Sequence, residues 1–406
     1  GLQVLVKLED PGKQQDPAMP LLQLGFRPFF LLAGISAVLL VLIWGLFFSG
    51  RVLEGLNVNA YSAVYWHGHE MVFGFVVAVV AGFLLTAVKN WTGRQTASGA
   101  LLLLLVILWL LARVLPLFSG IIPYWIIAVI DISFLPAVAA TLLPLLIKTR
   151  NFRNLVFIAI LLLLSVANMV FHMGVAGWLE DGQRYGLYAA IYMILLLISI
   201  MGGRVIPFFI ERGLVERFQP RSYPAIEISS SLVLILLGIL HTADVTGAYI
   251  ITTALLAAAL HIIRLAGWYS KGIWRVPLLW VLVLAYGWIV AGVIMMALAM
   301  AGWFAVSLAL HAITIGGIGL MTMGMMVRVS MGHSGRKLLA PGMMPAAFAA
   351  LNIAVVIRVI LPLLLPPQSY LTLVLISALV WVAAFCVFIF CMSPVYLSAR
   401  VDGRPG

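Results

Sequence analysis

Apolar runs of roughly 20 residues follow one another along almost the whole chain, and each is long enough to cross a bilayer as a helix. Hydrophobic residues make up 64% of the 406 residues and charged residues 9%, with a mean hydropathy of +1.16. A segment within lipid must satisfy its own backbone hydrogen bonds, which a helix does internally. The sequence therefore predicts an all-α, polytopic membrane protein and excludes a soluble globular domain.

Twelve of these runs are predicted to span the membrane, with short connections that make neighbouring helices antiparallel. The predicted spans lie at 27–48, 64–88, 99–118, 121–147, 154–178, 185–209, 225–243, 246–266, 277–300, 303–328, 342–365 and 370–397. The segment at 1–24 is polar, and no soluble domain interrupts the spans. We therefore predict a single transmembrane domain over 25–400.

The basic residues set the predicted orientation. Of the 24 lysines and arginines, two fall within spans, Arg113 and Arg358. Only Arg51 and Arg184 lie on the side opposite the termini, which leaves 20 on the side of the termini. Because loops rich in Lys and Arg stay in the cytoplasm, both termini and the segment at 1–24 are predicted to be cytoplasmic. This bias accounts for the net charge of +11, so no nucleic-acid partner is expected.

Four histidines are predicted to share one depth, in the outer third of the membrane. His67 and His69 open the second span at its outer end. At about 1.5 Å per residue, His172 lies roughly 9 Å and His311 roughly 12 Å from the outer side. A lone membrane histidine is usually a hydrogen-bonding group between helices. Four at one depth indicate metal ligands, because imidazole suits transition metals and buried ionisable groups mark functional sites.

The other three histidines are weaker candidates. His241 ends the seventh span near the same surface. His261 and His333 lie toward the inner side, and at about 1.5 Å per residue they are predicted not to reach the outer layer.

The spacing of the first two histidines predicts either two separate centres, one on each face of the second helix, or one metal ligand and one residue that supports a ligand. On a helix, His67 and His69 point about 200° apart, so they are not expected to bind one metal. His67 shares its face with Glu70 and Met71, three and four residues on. Glu70 is predicted either to orient an imidazole or to carry protons, unless it is an ordinary carboxylate at the interface.

Further charged groups lie at the same level. Arg113 and Arg358 fall in the outer half of their spans, where they suit the propionates of a haem unless they extend to the surface. Asp131 lies inside the fourth span and is predicted to pair with one of these arginines. Asn168 precedes His172 by one turn and is predicted to support it.

Ordered motifs along the chain resemble the NnrS family. They are "WHGHEM" at 66–71, "GFLLTAVKNWTG" at 82–93, "NMVFH" at 168–172, "MGGRVIPFF" at 201–209, "PLLW" at 277–280, "HAITIGGIGLMT" at 311–322 and "RVSMGHSGR" at 328–336. The resemblance implies a bacterial inner-membrane protein that contains haem and copper and takes part in nitric oxide metabolism and resistance to nitrosative stress. The chain departs from the family pattern after "PLLW", where family members often carry a histidine and this chain has none.

A fainter similarity links the second span to the catalytic subunit of haem–copper oxidases. His67-Gly68, Met71 and Phe73, followed by Gly82-Phe83 and Asn90-Trp91, match the pattern of that subunit's second helix. The similarity implies that His67 is an axial haem ligand. Adjacent His-His and His-Pro-Glu motifs are absent from the sequence, which disfavours dioxygen reduction with proton pumping.

These observations favour a protein that holds a b-type haem and copper and acts on a small diatomic ligand such as nitric oxide, which reaches it from the bilayer. The haem is assigned to His67, with Arg113 and Arg358 at its propionates. The copper is assigned to His69, His172 and His311, unless one of these three is instead a second haem ligand. Two alternatives stay open: a carrier of copper or haem, and a sensor or sink for nitric oxide without turnover.

Overall fold

A computed structural model of the protein describes residues 19–51 and 61–406 and contains twelve helices long and apolar enough to cross a membrane. They are α1 Phe26–Phe48, α2 Ala63–Thr92, α3 Gly99–Leu117, α4 Tyr124–Lys148, α5 Phe152–Val175, α6 Gly182–Gly213, α7 Pro224–Thr242, α8 Ala248–Trp268, α9 Pro277–Met300, α10 Val306–His333, α11 Met344–Leu364 and α12 Pro367–Leu397. The all-α class and the twelve spans predicted from the sequence are confirmed. Most of the segment predicted at 1–24 lies outside the described residues.

Several helices extend beyond their apolar runs. α2 continues to Thr92 and ends where Gly93 takes a left-handed conformation with φ of 66°. α6 is 32 residues long and continues into the polar stretch before Gly213. A helix needs an apolar surface only within the hydrocarbon layer. Hydropathy therefore predicts that a span exists but underestimates its length.

α2 is the central helix of the bundle. Of its most apolar window, 89% is buried, compared with 28–67% for the other eleven helices. Consecutive helices pack side by side, and α12 returns to pack against α1. α2 contacts α1, α4, α6 and α10, so side chains on different faces of this helix meet different parts of the bundle.

Three helices contain a stretch of wider π-helical turns. These stretches are Glu70–Val76 in α2, Ala312–Gly319 in α10 and Val356–Ile360 in α11. His69 and His311 immediately precede the first two stretches, and Arg358 lies inside the third. π-Helical turns occur often at functional sites, because the extra residue changes the direction of the side chains on either side. All three of these candidate side chains are therefore placed by a local change of helical register.

Close contact of backbones joins α5 to α6. A Cβ atom added to Gly186 would lie 2.4 Å from the carbonyl oxygen of Ala167 and 2.8 Å from Cβ of Phe171. A Cβ atom on Gly174 would meet the backbone nitrogen of Gln183 at 2.4 Å. Small residues at such positions let membrane helices approach closely. This contact holds α5, which carries His172, in position.

Replacing Gly186 by alanine is expected to destabilise the protein by about 1–3 kcal/mol, because the two helices must separate to admit the methyl group. Thermal unfolding in detergent measures the change. Gly287 in α9 is the control, since no atom lies within 4 Å of an added Cβ. Its replacement by alanine should be neutral or stabilising by about 0.5–1 kcal/mol. Equal effects at both positions would contradict the packing argument.

Both ends of the described bundle lie on one side. At the start of α1, Arg27 donates hydrogen bonds to the carbonyl oxygens of Val395 at 2.8 Å, Ser398 at 2.6 Å and Gly406 at 2.9 Å. Loops rich in Lys and Arg stay in the cytoplasm. Reporter proteins fused after the C-terminus should therefore indicate a cytoplasmic location, and reporters inserted at 179–184 should indicate the opposite side of the membrane. A cytoplasmic signal from 179–184 would reverse the orientation.

Candidate metal centre and cofactor cavity

The two histidines at the start of α2 face different surroundings. Ser62 caps the helix by accepting a hydrogen bond from the backbone N–H of Tyr65 at 3.4 Å. His67 and His69 follow in the next turn. His67 lines a largely apolar cavity, whereas His69 is fully buried in a cluster of polar side chains. The separation of these two imidazoles onto different faces agrees with their spacing.

Both ring nitrogens of His69 have polar neighbours. Nδ1 lies 3.0 Å from Oε1 of Glu70. Nε2 lies 2.8 Å from Oδ2 of Asp131 and 2.8 Å from Oδ1 of Asn168. The amide of Asn168 also donates to Oδ2 of Asp131 at 2.9 Å. Asp131 thus forms the centre of the cluster, with His69 on one side.

His172 approaches the same carboxylate oxygen from α5. Its Nε2 lies 2.7 Å from Oδ2 of Asp131. Its Nδ1 lies 2.5 Å from the hydroxyl of Tyr124, which also donates to the carbonyl oxygen of His172 at 3.2 Å. Each imidazole therefore directs one nitrogen to the centre and holds the other by an outer partner, as metal-binding histidines do.

Arg113 supports the cluster from α3. Its guanidinium lies 2.5 Å from Oδ1 of Asp131 and 3.3 Å from Oε2 of Glu70. Gly74 makes room for it, because a Cβ atom there would lie 2.4 Å from the Arg113 guanidinium. Trp109, one turn earlier on α3, donates to the carbonyl oxygen of Gly74 at 3.0 Å. These contacts fix both carboxylates within the bundle.

The cluster has the donors and the charge that a metal ion requires. One ligand atom each from His69, Asp131 and His172 lies within 4.8 Å of the others, and all three residues are buried. Two carboxylates, Glu70 and Asp131, are paired with the single arginine Arg113. One negative charge is left for a metal cation or for a proton on an imidazole, since buried charge is costly without a partner.

The cavity on the other face of α2 has a volume of about 510 Å³. Helices α1, α2, α6, α10, α11 and α12 all contribute to its wall. Val64 and Tyr370, at 64% and 37% exposure, belong to its lining, so the cavity reaches the surface of the bundle. Cavities of roughly 300–1,000 Å³ with apolar walls and few polar groups are typical of cofactor sites.

His67 is held at the cavity wall by an aromatic ring. Its imidazole stacks on the indole of Trp44, with 4.4 Å between ring centroids and 11° between planes. Nδ1 of His67 is buried and has no hydrogen-bond partner in the described part of the chain. The ring is thus oriented by stacking and not by a hydrogen bond to Nδ1.

His311 faces the same cavity from α10. Its Nδ1 lies 2.7 Å from the carbonyl oxygen of Ser307, one turn earlier. The guanidinium of Arg358 lies 3.4 Å from the same nitrogen and 3.5 Å from the Ser307 hydroxyl. Another nitrogen of that guanidinium, NH1, is buried without a partner within the described residues. The cavity is therefore lined by two histidines and two arginines: Arg184, which lies near Asp181 and Asp244, and Arg358, which has a free donor.

The structure groups the predicted site residues differently from the sequence in three respects. His311 lies in the cavity with His67, because the wide turns of α10 begin immediately after it. Arg113 pairs with carboxylates of the polar cluster and does not line the cavity. Glu70 lies beside His69, its neighbour in sequence, instead of on the face of His67.

Met71 and Asp131 lie where the sequence predicted, whereas Asn168, which was predicted to support His172, forms its hydrogen bonds with His69 and Asp131. Met71 lines the cavity beside His67. Asp131 pairs with an arginine, and Asn168 lies against it in the polar cluster. Sequence reasoning missed Tyr124, whose hydroxyl contacts His172; its position next to Pro123 at the start of the fourth span was the available signal.

The remaining histidines belong to neither site. His241 lies 2.8 Å from the hydroxyl of Tyr192. His261 contacts the hydroxyl of Tyr286. His333 lies 3.4 Å from the amide of Asn90. Each has a neutral neighbour on another helix, which is the ordinary state of a membrane histidine.

The model of the NnrS protein family matches residues 20–400. No curated protein matches the chain.

Proposed function

The chain belongs to the NnrS family, and from this premise we propose that it is a bacterial inner-membrane protein that binds a b-type haem and copper and acts on nitric oxide. The observation that carries the proposal is the division of two sites across one helix. His67 faces an apolar cavity and His69 faces a buried polar cluster, only two residues away. Two centres of different chemistry are thereby built on a single rigid element.

The cavity suits a haem. Its volume of about 510 Å³ and its largely apolar wall are appropriate to a planar macrocycle. Imidazoles of His67 and His311 both face it and would hold the haem iron. The free donor of Arg358 suits a propionate. The sequence contains no Cys-x-x-Cys-His attachment motif, so the haem would be bound without a covalent link.

The polar cluster suits copper. His69 and His172 supply nitrogen, and Asp131 and Asn168 supply oxygen, around one point. Nitrogen and oxygen donors together are typical of Cu(II). Glu70 and Tyr124 would accept or donate at the outer ring nitrogens and so orient both imidazoles. The uncompensated carboxylate would offset part of the charge of the ion.

Each part of the site has a separate task. When bound, the haem and copper would supply redox-active metals that take diatomic ligands and electrons. The apolar cavity admits an uncharged gas that dissolves in the bilayer and excludes ions and most water. Trp44 holds the plane of His67, and Arg358 holds the end of the cavity near Ser307. Arg113 holds Asp131 in place by direct pairing.

Burial of the polar cluster argues against the alternative of a copper carrier. His69, Asp131 and His172 are at most 4% exposed, and each has further polar partners on neighbouring helices. A carrier must release its cargo, which requires a site that opens. A buried and fully partnered cluster instead favours a resident centre.

Purified protein from cells supplied with iron and copper tests the proposal. We expect b-type haem bands that differ between the oxidised and reduced states, bound copper by metal analysis, and a shift of the reduced spectrum when nitric oxide is added. Consumption of nitric oxide with an added reductant would distinguish turnover from a sensor or sink. Protein that is folded but lacks both haem and copper would refute the proposal.

A further inference from the structure

Arg328 is a buried arginine that neither the cavity nor the polar cluster uses. Five arginines of the described chain are buried: Arg27, Arg113, Arg264, Arg328 and Arg358. A cation removed from water is costly unless an opposite charge or several acceptors surround it. The partners of each buried arginine therefore show whether its site is complete.

Four of the five have polar partners. Carboxylates neutralise Arg113 and Arg264. Backbone carbonyl groups surround Arg27, and Arg358 donates to a serine hydroxyl. Arg328 is 7% exposed and forms no hydrogen bond or ion pair with the residues that the structure describes. Its charge is left without a counterion.

The guanidinium of Arg328 lies on an aromatic ring. Its central carbon lies 3.8 Å from the centroid of Phe209 on α6. Stacking of this kind uses the flat face of the guanidinium and leaves the N–H groups at its edge free. Phe208 is the residue before Phe209 on α6, and the exposed side chain of Arg212 lies over its ring. The central carbon of the Arg212 guanidinium is 5.2 Å from the ring centroid. Two cations thus rest on adjacent rings at one end of α6.

The depth of Arg328 matches that of lipid phosphates. α10 has 28 residues and is therefore about 42 Å long, which exceeds a hydrocarbon core of about 30 Å. Arg328 lies five residues before the end of α10 at His333, or roughly 7 Å along the axis. This position is close to the boundary between hydrocarbon and headgroups, on the side that carries most of the basic residues.

We propose that the guanidinium of Arg328 binds the phosphate group of an anionic membrane lipid at the end of α6 and α10 near the termini. Arginine donates paired hydrogen bonds to phosphate oxygens, and basic pockets between membrane helices on the cytoplasmic side recognise anionic headgroups. The phosphate supplies the missing counterion, and the acyl chains lie along the apolar surface beside the exposed ring of Phe208. This site is separate from the haem cavity and the metal cluster.

Lipid binding to the purified, delipidated full chain tests the proposal. Native mass spectrometry would compare phosphatidylglycerol with phosphatidylcholine, on wild type and Arg328→Gln. We expect wild type to bind phosphatidylglycerol more tightly, and Arg328→Gln to lose about tenfold or more of that affinity. Arg328→Lys keeps the charge and should retain part of it. Arg217→Gln is the control, because it removes an exposed charge on the same side.

The outcomes separate the possibilities. A loss confined to Arg328→Gln supports the site. Should that variant not fold, partial retention by Arg328→Lys and preference of wild type for phosphatidylglycerol would support it. Displacement of the lipid by inorganic phosphate at constant ionic strength would support the phosphate chemistry but with a source in solution. Equal losses in Arg328→Gln and Arg217→Gln, or equal binding of both lipids, would overturn it.

Discussion

Replacing His67 by alanine is expected to remove most of the haem from the purified protein, with absorption bands reduced at least about tenfold. Its imidazole stands at the cavity wall, stacked on Trp44, and its Nδ1 has no partner among the described residues. If His67 is a ligand, its removal deletes both the bond to the metal and a group that orients the cofactor. Absorption spectra of matched amounts of protein, with haem extracted and quantified, measure the effect.

His261→Ala is the matched control for this substitution. His261 likewise lies in a membrane helix and is buried, but it contacts Tyr286 and does not line the cavity. We expect it to keep wild-type haem content and band positions. If the His67→Ala protein keeps them as well, His67 is not a ligand and the cavity has another occupant.

The helical architecture was predictable because hydropathy is a local property. Each span is recognised by its own residues, without knowledge of its neighbours. The opposite directions of His67 and His69 were predictable for the same reason, since two residues on one helix point to different faces. The shared depth of the four histidines could likewise be predicted from the rise per residue of a helix. These inferences depend on one helix at a time.

Which helices contact each other could not be predicted from one sequence. Depth placed His172 and His311 at similar levels, yet one faces the polar cluster and the other the cavity. Arg113 and Arg358 divide in the same way. Which helices surround α2, and on which side, is decided by packing of the whole bundle.

The wide helical turns were a second reason why the grouping of the site residues could not be predicted from the sequence. A regular helix places Glu70 nearer to the face of His67 than to that of His69. In the structure the π-helical stretch begins at Glu70, and the carboxylate lies against Nδ1 of His69. The sequence carries no simple signal for an inserted residue of this kind, whose stability comes from tertiary contacts.

His172 lies in the polar cluster and His311 in the cavity. Their replacement by alanine is therefore expected to have opposite effects on copper and haem, and this is the second large effect. His172→Ala is expected to lose at least about tenfold in copper affinity and to keep its haem. Nε2 of His172 lies 2.7 Å from Asp131, at the centre of the cluster. His311→Ala is expected to keep copper and to lose or alter its haem, because His311 lines the cavity with His67. Metal analysis and spectra on the same preparations measure both quantities.

The pair of variants separates two assignments that a single variant would not. If copper were bound by His69, His172 and His311, both substitutions would remove copper. With His69 and His172 in the polar cluster and His311 in the cavity, we expect His172→Ala to lose copper and His311→Ala to lose haem. Loss of copper from His311→Ala with haem intact would therefore restore the three-histidine set.

Asp131→Asn is the companion variant that tests the oxygen ligand. It is chosen because the side chain of asparagine has nearly the same shape as that of aspartate. Asp131→Ala is unsuitable, because it would leave a cavity and remove the oxygen atoms that contact Arg113, Asn168 and His172. If Asp131 binds the metal, the asparagine variant should lose copper as His172→Ala does, while haem bands stay unchanged. Retention of full copper would mean that Asp131 only orients the two imidazoles. The ligands would then be His69 and His172, with Asn168 as the remaining donor at 2.8 Å from Nε2 of His69.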